Sequence, residues 1–113
     1  VDFMLDTFPF PGGTTTCEAL WMGVPTLTLA GKTLLQRQGM SFMSCVGLNT
    51  WIAYDEEDYI QKAIHYANNL NPLYHLRSTL RETIMASPLV DAARFAKDFE
   101  QALLTMWQEK YPI

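Results

Sequence analysis

Between an apolar opening, Val1-Asp2-Phe3-Met4-Leu5, and a helix-like stretch, Cys17-Glu18-Ala19-Leu20-Trp21-Met22, the chain reads Phe8-Pro9-Phe10-Pro11-Gly12-Gly13. Two prolines and two glycines in that run stop strand and helix alike. What lies on either side must therefore be two separate elements. Val1 to Thr7 reads as a buried strand ending in polar Asp6-Thr7. A helix follows from about Thr14 to Met22, closed by Gly23 and Pro25. Thr26-Leu27-Thr28-Leu29-Ala30 then alternates, with two β-branched residues, and reads as a second strand. Strand, loop, helix and strand in this order form a βαβ unit, the signature of a parallel sheet.

Gly31-Lys32 is a loop at the carboxyl end of that second strand. A second helix is expected over Leu34 to Cys45, ending at Gly47, and Trp51-Ile52-Ala53 is a short third strand. Asp55 is the expected N-cap of a helix whose acidic first turn, Glu56-Glu57-Asp58, suits the helix dipole. Tyr59, Ile60, Ala63, Ile64, Ala67 and Leu70 mark the apolar face of that helix. Asn71-Pro72 opens another helix through Ala86, closed by Ser87-Pro88. Asp91 caps the last helix, along which Ala92, Phe95, Ala96, Phe99, Leu103 and Met106 recur at helical spacing, with Trp107 near its end. The prediction is an α/β chain, with residues 1–54 a βαβ portion that binds a nucleotide diphosphate and residues 55–113 a helical C-terminal portion.

Composition narrows the function. With 113 residues and 49% hydrophobic content the chain can bury a real core. Eight basic residues against 12 acidic ones give a net charge of −4, and no basic stripe appears, so nucleic acid is not an expected partner. Apolar runs are short and broken by Gly or Pro, so no membrane span is expected. Asp2 and Asp6 flank the apolar start and no basic segment precedes it, so no signal peptide is expected. Cys17 and Cys45 do not match a zinc motif and read as buried free thiols of a reducing, cytoplasmic compartment. The chain opens on Val1 and enters a strand almost at once, so it is expected to be a piece of a larger protein, holding half of any two-domain site.

The candidate site is the run Gly12-Gly13-Thr14-Thr15-Thr16 at the start of the first helix. Amides and hydroxyls of Gly13, Thr14, Thr15 and Thr16 can cradle a diphosphate, because helix-start N–H groups point outward and the dipole favours an anion there. From this loop alone an ordinary tight turn, capped by Thr14 or Thr15, is the simpler reading. Glu18 carries two readings. Thr15-x-x-Glu18 fits a capping box, in which the glutamate bonds back to the cap residue; alternatively Glu18 accepts from ribose hydroxyls. Spacing does not choose between them. Lys32 reads as a solvated lysine, and Arg37 divides evenly between facing a phosphate and pairing with a carboxylate. His65 and His75 sit in helices away from the loop, so neither is a catalytic base, and no cluster suits a metal. Trp21, Phe95, Phe99 and Trp107 are most simply core.

Leu5-Asp6-Thr7-Phe8-Pro9 and Gly12-Gly13-Thr14-Thr15-Thr16-Cys17-Glu18-Ala19-Leu20-Trp21-Met22-Gly23-Val24-Pro25 closely resemble the C-terminal catalytic half of the protein O-GlcNAc transferase family, most of all its bacterial, tetratricopeptide-repeat-linked members. The likeness runs on through Thr26 to Gly31, Arg37, Val46-Gly47-Leu48, Ile52-Ala53, Ser87-Pro88-Leu89, Asp91 to Ala96 and Met106-Trp107. It implies a partial Rossmann-like domain, the donor-binding one of two that face a cleft, followed by a helical segment. It implies UDP-GlcNAc as donor substrate, an acceptor protein modified on Ser or Thr, inversion at the sugar, and no metal or other cofactor. Thr14 and Thr15 match the phosphate-holding positions and Glu18 the ribose-holding one. The catalytic base and a phosphate-facing lysine lie upstream, in an N-terminal catalytic domain absent from this chain, so no residue here matches a catalytic one. Two positions depart from the pattern: Gly13 stands where many members carry His, and Pro11 where many carry Asn. The departures leave room for a non-catalytic nucleotide-sugar-binding or structural module, or for a cytoplasmic protein glucosyltransferase with another donor or acceptor. Apolar helix faces and a sheet edge left without the rest of the protein imply self-association of the isolated piece.

Overall fold

A computed structural model describes residues 1–112 of the chain. Its sheet has three parallel strands in the order β1 (Met4–Leu5), β2 (Thr26–Leu29), β3 (Ile52–Ala53). Met4 aligns with Thr26 and Leu5 with Leu27, while Thr28 aligns with Ile52 and Leu29 with Ala53. Between β1 and β2 runs α1 (Thr14–Trp21); between β2 and β3 runs α2 (Gln38–Cys45). Then α3 (Glu56–Asn68), α4 (Asn71–Met85) and α5 (Ala92–Lys110) complete the chain. The α/β class with a short parallel sheet and a helical second half is therefore as the sequence implied.

The central strand β2 is the most deeply placed: Thr26, Leu27 and Thr28 are fully buried. Around it Leu20, Met43, Val46, Trp51, Ile52 and Ala53 join Tyr59, Leu73, Leu80 and Ile84 in one core. The core draws on both halves of the sequence, because α2 and α3 pack on β2 and α4 packs on α1. Gly23, at φ +79°, turns the chain out of α1 so tightly that a Cβ there would stand 2.6 Å from the Arg77 carbonyl oxygen. Trp51 stacks on Tyr66 with ring centroids 3.8 Å apart and planes within 7°.

Several expectations fail for physical reasons. The first strand covers only Met4–Leu5, with Leu5 exposed and Asp6 buried, the reverse of an apolar strand with a polar end. It is an edge strand, paired only with β2, so one of its sides has no neighbour to bury against. The second helix is split, a short 3-10 turn over Leu35–Arg37 preceding α2. On α3 the buried aromatic is Tyr59, whereas Ile60 and Ile64 are about half exposed and Ala67 lies open. Cys17 and Cys45 are free thiols, but half-buried rather than buried. The largest difference is α5, which buries no residue; Phe95, Phe99 and Trp107 are 69%, 54% and 63% exposed. Trp21 is also exposed, and the Arg81 guanidinium lies 4.9 Å above its ring. Helical spacing marks an apolar stripe but not what lies upon it, and the body of this chain does not reach α5.

Candidate functional site

Parallel strands connected by helices bring the starts of the following helices to one rim, beyond the carboxyl ends of the strands. Here α1, α2 and α3 follow β1, β2 and β3. Their charges differ. The first turn of α3 carries Glu56, Glu57 and Asp58, and Asp55 caps it by accepting from the Asp58 N–H at 2.8 Å. An anion is repelled there. The first turns of α1 and α2 hold no acidic residue.

The start of α1 has no cap. Gly13 is its N-cap residue, and no side chain accepts from the first turn. The first helical bond runs from the Cys17 N–H to the Gly13 carbonyl, 3.2 Å, so the N–H groups of Thr14, Thr15 and Thr16 have no helical acceptor. This overturns two readings of the sequence. Neither Thr14 nor Thr15 is a cap, because both already lie inside the helix. The capping box does not form either: with Gly13 as the cap, the position that would reach back is Thr16, and Glu18 lies beyond it, about half a turn too far along. Its carboxylate stays exposed, on the face shared by Thr14 four residues earlier. Thr14 and Thr15 are exposed, and Gly13 half-exposed. Thr16 departs from expectation: its side chain is fully buried and its hydroxyl has no partner, so only its backbone N–H is directed at the rim.

What shapes this loop is a residue that the sequence did not single out. Asp6, buried just past β1, accepts through Oδ1 from the Gly12 N–H at 2.8 Å and the Thr7 N–H at 3.0 Å. Its Oδ2 accepts from the Thr28 hydroxyl at 2.8 Å. The Tyr59 hydroxyl donates to the Asp6 carbonyl at 2.9 Å. Burial, and secondarily the nearby Asp6, push the Tyr59 phenol above its ordinary value. Asp6 thus pins the loop to β2 and α3 while taking no donor from α1. Two glycines admit this arrangement. A Cβ on Gly12 would stand 2.8 Å from the Thr16 hydroxyl, and one on Gly39 would run into the Thr28 hydroxyl and come within 2.6 Å of Asp6 Oδ2. The available signal was an acidic residue closing an apolar segment, with two threonines in the neighbouring strand.

Arg37 closes the short 3-10 turn that precedes α2. Its guanidinium donates to the Gly31 carbonyl at 2.9 Å and approaches Met40 Sδ at 3.3 Å, bracing the loop after β2, with no carboxylate beside it. Lys32 is exposed at the edge of a cleft of about 400 Å³, which Phe8, Pro9, Gln36, Tyr54 and Glu56 also line. His65 packs edge-on against Tyr66, and His75 lies on α4; both are exposed and away from α1's start. Burial and then Glu18 raise the Cys17 thiol above its ordinary value, which disfavours the thiolate beside the site. Among the described residues no group of three or more His, Cys, Asp or Glu could hold a metal ion, and no helix is long and apolar enough to cross a membrane.

An uncapped, uncharged helix start with an exposed carboxylate one turn on is suited to an anion joined to a hydroxyl-bearing group. The family described as Glycosyl transferase family 41 matches residues 1–99. A "Probable UDP-N-acetylglucosamine--peptide N-acetylglucosaminyltransferase SPINDLY" of Solanum lycopersicum is 42% identical over 108 residues, which is 96% of this chain and 12% of that protein. The Arabidopsis thaliana protein of the same type named SEC is 35% identical over 107 residues, 94% of this chain and 11% of its own. A solved structure of a mutant Thermobaculum terrenum O-GlcNAc transferase superimposes with a TM-score of 0.87 at 36% identity, covering 96% of this chain and 21% of that one. The chain thus spans about an eighth of the curated relatives' length.

Proposed function

The chain belongs to glycosyl transferase family 41, and from that premise we propose that it forms the UDP-GlcNAc-binding end of a protein O-glycosyltransferase. In this reading the diphosphate sits on the free N–H groups of Thr14, Thr15 and Thr16, with the Thr14 and Thr15 hydroxyls beside it, and Glu18 accepts from the ribose. The observation that carries the reading is the uncapped first turn of α1. In a folded protein, helix-start amides without partners are unusual unless water or a ligand takes them.

Chemically, a Ser or Thr hydroxyl of the acceptor protein attacks the anomeric carbon of the sugar. A new C–O bond forms, the bond to the β-phosphate oxygen breaks, and the configuration inverts. The electron pair leaves on UDP, and the hydroxyl proton passes to a base outside this chain. Charge grows on the departing diphosphate, where fixed N–H dipoles stabilise it without a metal. Losing one such donor typically costs about 100- to 1000-fold in rate. The acceptor site requires the remainder of the transferase. The same reading puts the protein in the cytoplasm, where Cys17 and Cys45 remain thiols.

Titration calorimetry on the full-length protein tests the assignment. Glu18→Ala is expected to weaken UDP binding by about tenfold or more, the value of a hydrogen bond to a charged group, with thermal unfolding unchanged. Undiminished UDP affinity would remove Glu18 from the ribose. Mass spectrometry of an acceptor protein incubated with nucleotide sugars differing in base and sugar then identifies the group transferred.

A further inference from the structure

Gln38 is the first residue of α2, and its side chain reaches across to the start of α1. A Cβ on Gly13 would stand 2.6 Å from Gln38 Nε2 and 3.8 Å from its Cδ. The space that a side chain at position 13 would enter is therefore taken by a carboxamide from the next helix. The neighbours of Gln38 are engaged: Gln36 Oε1 accepts from the Lys32 and Thr33 N–H groups, and Arg37 holds the Gly31 carbonyl. Among the described residues the Gln38 carboxamide has no hydrogen-bond partner, although it is half-buried. A neutral amide standing at Gly13, the residue that opens the uncapped first turn of α1, can present its NH2 end to an oxyanion bound there. Glutamate at that place would repel the same anion.

We propose that Gln38 is a further diphosphate-binding residue of the sugar-nucleotide site, donating its side-chain N–H to a diphosphate oxygen beside Thr14 and Thr15 in the space that Gly13 leaves open. This rests on the donor-site reading above and adds to it a contact from a different helix. Gly13 and Gln38 then act as a pair: the glycine is needed because the glutamine occupies its side-chain volume, and the glutamine supplies the directed donor that glycine lacks. Grip on the diphosphate comes from both α1 and α2, so recognition depends on how these two helices sit together.

The test uses the full-length protein, with UDP and with uridine, which lacks the phosphates, measured by calorimetry or by competition. Gln38→Ala should weaken UDP about tenfold or more, as expected for a hydrogen bond to a charged group, and leave uridine affinity unchanged. Gln38→Glu should weaken UDP further. Gly13→Ala should weaken UDP in the parent sequence and have a smaller effect in the Gln38→Ala background, since the obstructing amide is gone. Thermal unfolding of each variant identifies any that fail to fold, and the Glu and Ala variants serve as checks on one another. If the parent binds UDP and Gln38→Ala binds it equally well, the assignment of Gln38 is wrong and the donor site stands. Equal losses for UDP and uridine would make Gln38 a structural residue and also overturn the proposal. A parent protein that binds no UDP would overturn both.

Discussion

The Tyr59 hydroxyl, donating to the Asp6 carbonyl, joins α3 to the loop that leads into α1. Such a bond, worth about 0.5–1.5 kcal/mol net, should be lost in Tyr59→Phe. Its pH dependence has a definite sign. Burial raises the folded-state pKa of the phenol above its ordinary value of 10.0. The contribution is therefore complete below pH 10 and fades as pH rises through the folded value. Urea unfolding of the parent and of Tyr59→Phe should show a gap in stability that is constant near neutrality and narrows above pH 10; a gap that widens there would contradict it. At this scale the sequence could name Thr14, Thr15 and Glu18 but not decide how they are used. Glu18 had a local partner available on paper, and only the helix starting at Gly13 rather than later denies it that partner. Asp6 was legible as a polar strand end, yet its three donors come from residues one, six and 22 positions away, which no local pattern reveals.

Among the elements, the contrast between α1 and α3 is the informative one. Both begin at the same rim, but α3 is closed by its own Asp55 and α1 is left open. Asp55→Ala should cost about 1 kcal/mol of unfolding free energy, the usual loss of a side-chain N-cap, while UDP affinity of the full-length protein stays unchanged. A large fall in affinity would mean that the α3 end takes part in binding. Helix caps at Asp55 and Asp91, the strands at Thr26 and Ile52, and the stop at Gly23 were all readable because each is set within a few residues. Extent and burial were not. The short β1 reflects its edge position, and the 3-10 turn before α2 is held by Arg37 and Gln36 side chains reaching back into the loop.

Taken as a whole the chain is elongated, with principal extents of 60 × 30 × 19 Å. A 19-residue helix is about 28 Å long, and α5 contributes that length without burying a residue. The isolated 113 residues should self-associate through the apolar stripe of α5 and the open side of β1. Ending the chain at Asp91 should reduce that association in light scattering and change the unfolding free energy by less than about 1 kcal/mol, as for surface changes away from the core. A large loss of stability would mean that α5 is held by the body after all. The parallel sheet has a different implication. Its rim is made from three short turns, residues 6–13, 30–37 and 54–55, which supply no residue to the fully buried hydrophobic cluster, although Ala30 packs against it and Asp6 bonds to Thr28 and Tyr59 beneath. Ligand preference is in consequence largely separable from core packing: a turn can be lengthened, or a rim side chain exchanged at Gly13 or at Gln38 where α2 begins, without repacking the strands and helices beneath, whereas Asp6 and Asp55 serve the rim and the fold at once.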